Sequence, residues 1–182
     1  MSFRPREWDA PAYEALSDPQ SRWGLRILGL LHLRGDETVL EAGCGTGRDT
    51  LRLLERLPRG RVLAVDASER MLEQARLRLA GHLDRVDLVR ADLGEPLPID
   101  VPVDLVFSVA AFHWIRDHDS LFRNLARVLR PGGLLAADCG GWGNIAGVSA
   151  AIARVTGEPG EAGVWHFARP GETADRLKAA GC

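Results

Sequence analysis

The sequence predicts an α/β protein built on a doubly wound, Rossmann-like parallel sheet. Three observations carry this. Short runs rich in valine and leucine recur with little polar alternation, as strands covered on both faces require. Stretches with apolar residues at helical spacing separate them. Glycines and acids mark the ends of the runs, where such sheets bind ligands. The length of 182 residues suits one domain, 1–182, with a full core.

The elements follow in order. The first 35 residues read as a helical cover with Trp23, Ile27, Leu30 and Leu31 as its apolar stripe. Residues 36–139 form the binding core. Its strands are "TVLEA" (38–42), "RVLAVD" (61–66), "RVDLVRAD" (85–92), "VDLVFSVA" (103–110) and "GLLAADC" (133–139). Leu51, Leu54 and Leu57 recur at helical spacing after the first. Ser68 caps a helix carrying Met71, Leu72, Ala75 and Leu79 after the second. Leu121, Phe122, Leu125, Val128 and Leu129 form the helix before the fifth, stopped by Pro131, Gly132 and Gly133. Residues 140–182 supply a loop and a last helix, "ETADRLKAAGC".

Composition narrows the function classes. The net charge of −2 gives no basic surface for nucleic acid, and lysine occurs once, at Lys178. The small-apolar region 132–153 is broken by Asp138 and Asn144, so no membrane span is expected. Cys44, Cys139 and Cys182 form no CxxC pair, which argues against a disulfide framework or structural zinc. The start of the chain carries no apolar targeting run. A cytoplasmic protein without a bound metal is the expectation.

The chemistry starts at "VLEAGCGTGRDT" (39–50), where Gly43, Gly45 and Gly47 alternate after a strand. Such a turn needs glycine for unusual dihedrals and for close approach to a ligand. No Lys-Ser or Lys-Thr follows, so it is not a phosphate-binding P-loop. The third glycine comes one place early for the GxGxxG fingerprint, which disfavours a nicotinamide cofactor. Asp66 ends the second strand, where an acid suits two ribose hydroxyls. Together the two features point to a nucleoside-like ligand.

These motifs resemble the class I S-adenosylmethionine-dependent methyltransferases. "VLEAGCGTG" is similar to that family's first motif, "VLAVDASERMLEQA" to its second and "RADL" to its third. "DLVFSVAAFHWIRDHDSLFRNLARVLRPGGLL" resembles its fourth strand, the helix after it and the next turn. The "HW…D" segment resembles the small-molecule subgroup that includes trans-aconitate methyltransferase.

The resemblance implies S-adenosylmethionine as cofactor and a small organic molecule as methyl acceptor. It implies that Gly43, Gly45 and Gly47 approach the methionine part and that Glu41 faces its ammonium. Asp66 would take the ribose, with Ala67 or Met71 against the adenine; plain helix core is an equal role for Met71. Asp92 and the Leu93 backbone would meet the adenine edge, and Val109 and Ala110 would lie near the sulfonium. Gln20 joins the cofactor contacts, and Trp8, Tyr13 and Trp23 stand in the segment that covers it.

His113 is the candidate base, weighed against a rim residue that seats Trp114; a carboxylate acceptor needs no base. His118, between Asp117 and Asp119, reads as part of a polar cluster at a helix start. The loop 156–170, with His166 and Arg169, reads as a cover on the acceptor side.

The family's sheet usually has seven strands, and only five are visible here. Strands six and seven are missing from the sequence given, which leaves the fifth strand as an apolar edge open to self-association. Two other readings stand beside methyl transfer: a cofactor-binding module without turnover, and a nicotinamide-dependent oxidoreductase.

Overall fold

The computed structural model describes residues 7–10, 18–157 and 165–182; of 18–21 only the backbone is described. Tyr13, the Gln20 side chain and residues 158–164 of the expected cover lie outside the described residues.

Five strands form one parallel sheet: β1 (Thr38–Ala42), β2 (Arg61–Asp66), β3 (Val86–Arg90), β4 (Val103–Val109) and β5 (Leu129–Asp138). Their order is β3-β2-β1-β4-β5. The chain therefore winds outward from β1 to β3 and returns to the other side of β1. The reversal opens a crevice at the carboxyl ends of β1 and β4. Ser108 Oγ ties these ends together, donating to the Ala42 carbonyl at 2.7 Å.

Among the described residues, six α-helices flank the sheet: α1 (Asp18–Leu30), α2 (Arg48–Arg56), α3 (Glu69–Arg78), α4 (His118–Val128), α5 (Ala146–Thr156) and α6 (Pro170–Ala180). Side chains alternate across each strand, so Val39 and Phe107 face one core while Leu40 and Val106 face the other. The first core packs under α1, α2 and α3 through Leu28, Leu53, Leu54 and Leu72. The second packs under α4 and α6 through Leu121, Phe122, Leu125 and Leu177.

Two expectations are corrected. In α1 and directly after it the buried residues are Gly24, Leu28 and Leu31, with Ile27 packed against the core; of the expected stripe, Leu30 is 69% and Trp23 39% exposed. The stripe is shifted because Gly24 meets Asp49: a Cβ there would lie 2.4 Å from its carboxylate oxygens. β5 starts at Leu129 rather than 133. α4 already ends at Val128, so Leu129 belongs to the strand rather than the helix, and Pro131, Gly132 and Gly133 do not stop the helix but lie inside β5 as a bulge. Its register shifts between Val103 and Leu105 of β4, and Gly132 takes φ +75°.

Candidate functional site

The glycine loop is fastened from below. The N–H groups of Gly43 and Cys44 both donate to the Val65 carbonyl at 2.9 Å. The Gly45 N–H donates to Asp66 Oδ2 at 2.8 Å, and the Gly47 N–H to the Cys44 carbonyl at 3.0 Å. From the side, Arg78 donates to the Thr46 carbonyl and hydroxyl, both at 2.7 Å. Cys44 is buried in the turn as small packing.

All three glycines have positive φ, from +53° to +81°. Gly43 and Gly47 also lie where the chain is tightest. A Cβ on Gly43 would meet the Ala111 Cβ at 2.4 Å. One on Gly47 would sit 3.1–3.3 Å from Leu79 and Ala75. These two glycines are thus required by packing against the β4 loop and α3, whatever the loop binds. The N–H groups of Gly43, Cys44, Gly45 and Gly47 are spent inside the protein, so they do not form the anion cradle that a phosphate needs.

Carboxylates ring this loop. Glu41 is 3% exposed and accepts a hydrogen bond from Thr50 Oγ1. Burial pushes its carboxyl well above the usual range, and Asp49 and Asp66 push it further. Burial also raises Asp49, against its 2.7 Å ion pair with Arg52. Burial raises Asp66 too, although backbone N–H groups at Ser68, Gly45 and Ala67 pull the other way. Three acids held at a cost in one place fit a cationic ligand, since a positive charge lowers all three together.

Asp66 sits at the end of β2, with Ser68 N–H on Oδ1 at 2.9 Å. Ala67 is partly exposed beside it, and Met71 is buried in the first turn of α3. Ser68 Oγ caps α3 through the Met71 N–H and donates to Glu7 Oε2 at 2.9 Å. Glu7 thus brings the N-terminal segment onto this rim.

Asp92 Oδ1 accepts the Gly94 N–H at 2.9 Å, so it shapes the turn after β3. Leu93 is buried in the core, its carbonyl held by Asn124 Nδ2 at 3.2 Å. Val109 and Ala110 follow β4. Ala110 has φ +56°, and its N–H donates to the Asp138 carbonyl at 2.7 Å. That N–H is therefore engaged by β5, and the expectation of backbone groups for the sulfonium narrows to carbonyls.

His113 stands on the opposite wall. Its Nδ1 accepts the Gly140 N–H at 3.2 Å, which leaves the ring proton on Nε2. Burial, with His118 nearby, lowers its pKa to about 4. The ring is thus neutral, with its proton on Nε2 and its basic nitrogen already occupied. Around it stand Trp114 at 5.3 Å and Phe167 at 5.8 Å between centroids. Trp114 also meets Trp8 edge-on at 4.8 Å and Trp165 at 5.6 Å. Three distant segments therefore build one aromatic wall. Arg169 lies over the Trp142 ring at 3.8 Å.

The methyltransferase-domain family matches residues 39–133, which carry the glycine loop, Asp66, Asp92 and the turn after β4. The chain belongs to the class I S-adenosylmethionine-dependent methyltransferases. A trans-aconitate 2-methyltransferase of Azoarcus sp. (strain BH72) is 40% identical over 129 residues, covering 71% of this chain and 49% of the relative. One of Acidovorax ebreus (strain TPSY) is 36% identical over 130 residues, with 71% and 48% covered. The chain thus spans about half the length of these curated relatives. Among solved structures, an S-adenosylmethionine-dependent methyltransferase from Mesorhizobium loti superposes with a TM-score of 0.66. It is 25% identical, with 88% of this chain and 80% of that one covered. Haemonchus contortus phosphoethanolamine N-methyltransferase 2 superposes at 0.76 with 22% identity, covering 100% and 45%. The second shares the fold.

Sequence reasoning missed Asp49 and Thr50 as partners of Glu41, and Glu7 as a cap on α3. Asp49 had a signal: it follows the third glycine directly in "GRDT". Glu7 and the Trp8–Trp114 pair had none.

Proposed function

We propose that this chain binds S-adenosylmethionine at the carboxyl ends of β1 and β2 and methylates a small carboxylic acid. The observation that carries the reading is the ring of acids, Glu41, Asp49 and Asp66, around a loop whose N–H groups at Gly43, Cys44, Gly45 and Gly47 are spent inside the protein. That set suits a ligand with positive charge and is poor for the pyrophosphate of a nicotinamide dinucleotide.

Gly43, Gly45 and Gly47 let the loop lie close to the methionine end, and Glu41 faces the ammonium. Asp66 takes the ribose with the lone pairs that Gly45 and Ser68 leave. Ala67 and Met71 flank the adenine, with Asp92 and Leu93 at its edge. The Val109 and Ala110 carbonyls face the sulfonium, and Gln20 approaches from the N-terminal cover. When bound, the cofactor supplies a methyl on positively charged sulfur, so the protein need not form a covalent intermediate.

The aromatic wall excludes water and orients the acceptor. Alignment then supplies most of the rate. The curated relatives named for trans-aconitate support an acid acceptor. A carboxylate is already ionised at neutral pH, so no base is needed. His113 serves as an Nε2–H donor that positions it. A second reading, binding without turnover, is favoured by α5, which buries none of its residues on the acceptor side.

Titration calorimetry with S-adenosylhomocysteine and with NAD tests the cofactor. Binding of the first alone is expected; binding of NAD alone would overturn the reading. Methyl transfer to trans-aconitate and a panel of small acids separates enzyme from module. The three free cysteines support a reducing cytoplasm. The β5 edge supports pairing with a second copy of the chain, which light scattering reads directly.

A further inference from the structure

Beside the aromatic wall, tied to it through the His113 and Phe112 carbonyls, stands a second group of polar side chains. His118 Nδ1, His166 Nε2 and Arg176 NH1 are buried, and none has a hydrogen-bond partner among the described residues. Buried polar atoms are normally paired, so three together demand an explanation.

They come from three elements brought to one place. His118 opens α4 and is 4% exposed. Its ring lies 4.4 Å from that of His166, centroid to centroid. Arg176 reaches in from α6, which packs on α4. Two backbone bonds fix the imidazoles to the turn that carries the wall. His118 Nε2 donates to the Phe112 carbonyl at 3.0 Å, and the His166 N–H donates to the His113 carbonyl at 2.8 Å.

The charge balance selects the ligand class. Arg176 is always positive, and its Nε meets Asp119 Oδ1 at 3.4 Å, on a side chain 67% exposed. The pair is screened by water and leaves NH1 unanswered. A guanidinium beside two imidazoles repels a metal cation and welcomes an oxyanion.

We propose that His118, His166 and Arg176 form a subsite that anchors one carboxylate of the acceptor. This deepens the proposed function and rests on its acid acceptor. NH1 of Arg176 and Nε2–H of His166 donate to the carboxylate oxygens. Nδ1 of His118 takes up a proton with the anion and donates it as a third hydrogen bond. No covalent bond changes. The charged and titratable groups acting on His118 are His166, Arg176 and Asp119, and His113 responds to it in turn.

The test uses the whole chain saturated with S-adenosylhomocysteine and labelled with nitrogen-15 at histidine. Sodium acetate is the probe and sodium chloride the control, at constant ionic strength. Acetate should shift the His118 and His166 ring nitrogens saturably, and chloride should not. Arg176→Met should weaken acetate binding about tenfold or more, the scale of one lost charged hydrogen bond. Arg154→Met, exposed on α5, should leave it unchanged. If Arg176→Met does not fold, Arg176→Lys keeps the charge without the planar fork and should still weaken binding. Ring nitrogens unmoved by acetate would overturn the subsite, even if trans-aconitate is methylated. Acetate binding without methylation of any acid would instead sink the proposed function and leave the subsite standing.

Discussion

β3 closes one edge of the sheet with five residues, and its Asp87 and Arg90 are ion-paired to Arg61 and Glu69. β5 closes the other with ten residues and leaves Leu134 53% exposed. Charge and shortness blunt the first edge; the second keeps apolar length that another strand can use. The helices repeat the contrast. α3 buries Met71, Leu72 and Ala75, while α5 buries nothing and exposes Val148, Ile152 and Val155. Among the described residues, the half around β1, β2 and α3 is therefore sealed by its own side chains. The half around β5 and α5 keeps apolar side chains exposed.

The sealed half should break first and hardest. Gly43→Ala places a Cβ 2.4 Å from that of Ala111 and forces φ +81° on a residue with a side chain. Left-handed strain and overpacking together should cost about 4 kcal/mol, read by urea unfolding. A loss under about 1 kcal/mol would show that the loop yields, against the picture of a rigid turn. Asp66→Ala comes next. It removes the proposed ribose acceptor and the pins on Gly45 and Ser68, and should weaken S-adenosylhomocysteine binding roughly 100-fold. Asp66→Asn, which keeps one acceptor oxygen, should lose less.

What was legible in the sequence divides along the same line. The glycine loop, Asp66 and the Ser68 cap are short-range signals, set by turn chemistry within a few residues. The Pro131-Gly132-Gly133 run reads locally as a helix stop and is a strand bulge, because pairing with β4 decides that. The α1 stripe misled because Gly24 carries no apolar signal, yet it is the residue that admits Asp49. The ring contacts among Trp8, Trp114 and Trp165 join segments more than 50 residues apart, and no local period records them.

The open half should respond to charge at its edge. Leu134→Lys places a cation on the exposed side of β5, the device that natural edges use against pairing. If β5 pairs with a second copy as proposed, the substitution lowers the mass read by light scattering at high concentration while leaving S-adenosylhomocysteine binding unchanged. A wild-type monomer at high concentration would remove the edge from the comparison and leave only the helices to carry it.

The smallest expected effect separates the halves by titration. Around the glycine loop the carboxyls are pushed up; at the aromatic wall burial pushes the imidazoles of His113 and His118 down. A histidine lowered from 6.5 to about 4 binds its proton less readily when folded. The unfolded chain then holds more protons between those values, so stability falls as pH drops from 6.5 toward 4. A raised carboxyl works in the opposite sense. Folded Glu41 holds its proton longer, and its penalty grows as pH rises above about its ordinary 4.5. His113→Gln should therefore flatten the acid-side loss, and Glu41→Gln should relieve the penalty toward neutral pH, in urea unfolding followed from pH 4 to 7.5. Because His113 has its basic nitrogen on the Gly140 N–H, His113→Gln should also reduce methyl transfer to a carboxylate by less than about tenfold, the loss of a positioning donor rather than of a base. A 1,000-fold loss, with a pH–rate limb that vanishes in the variant, would return His113 to the role of base.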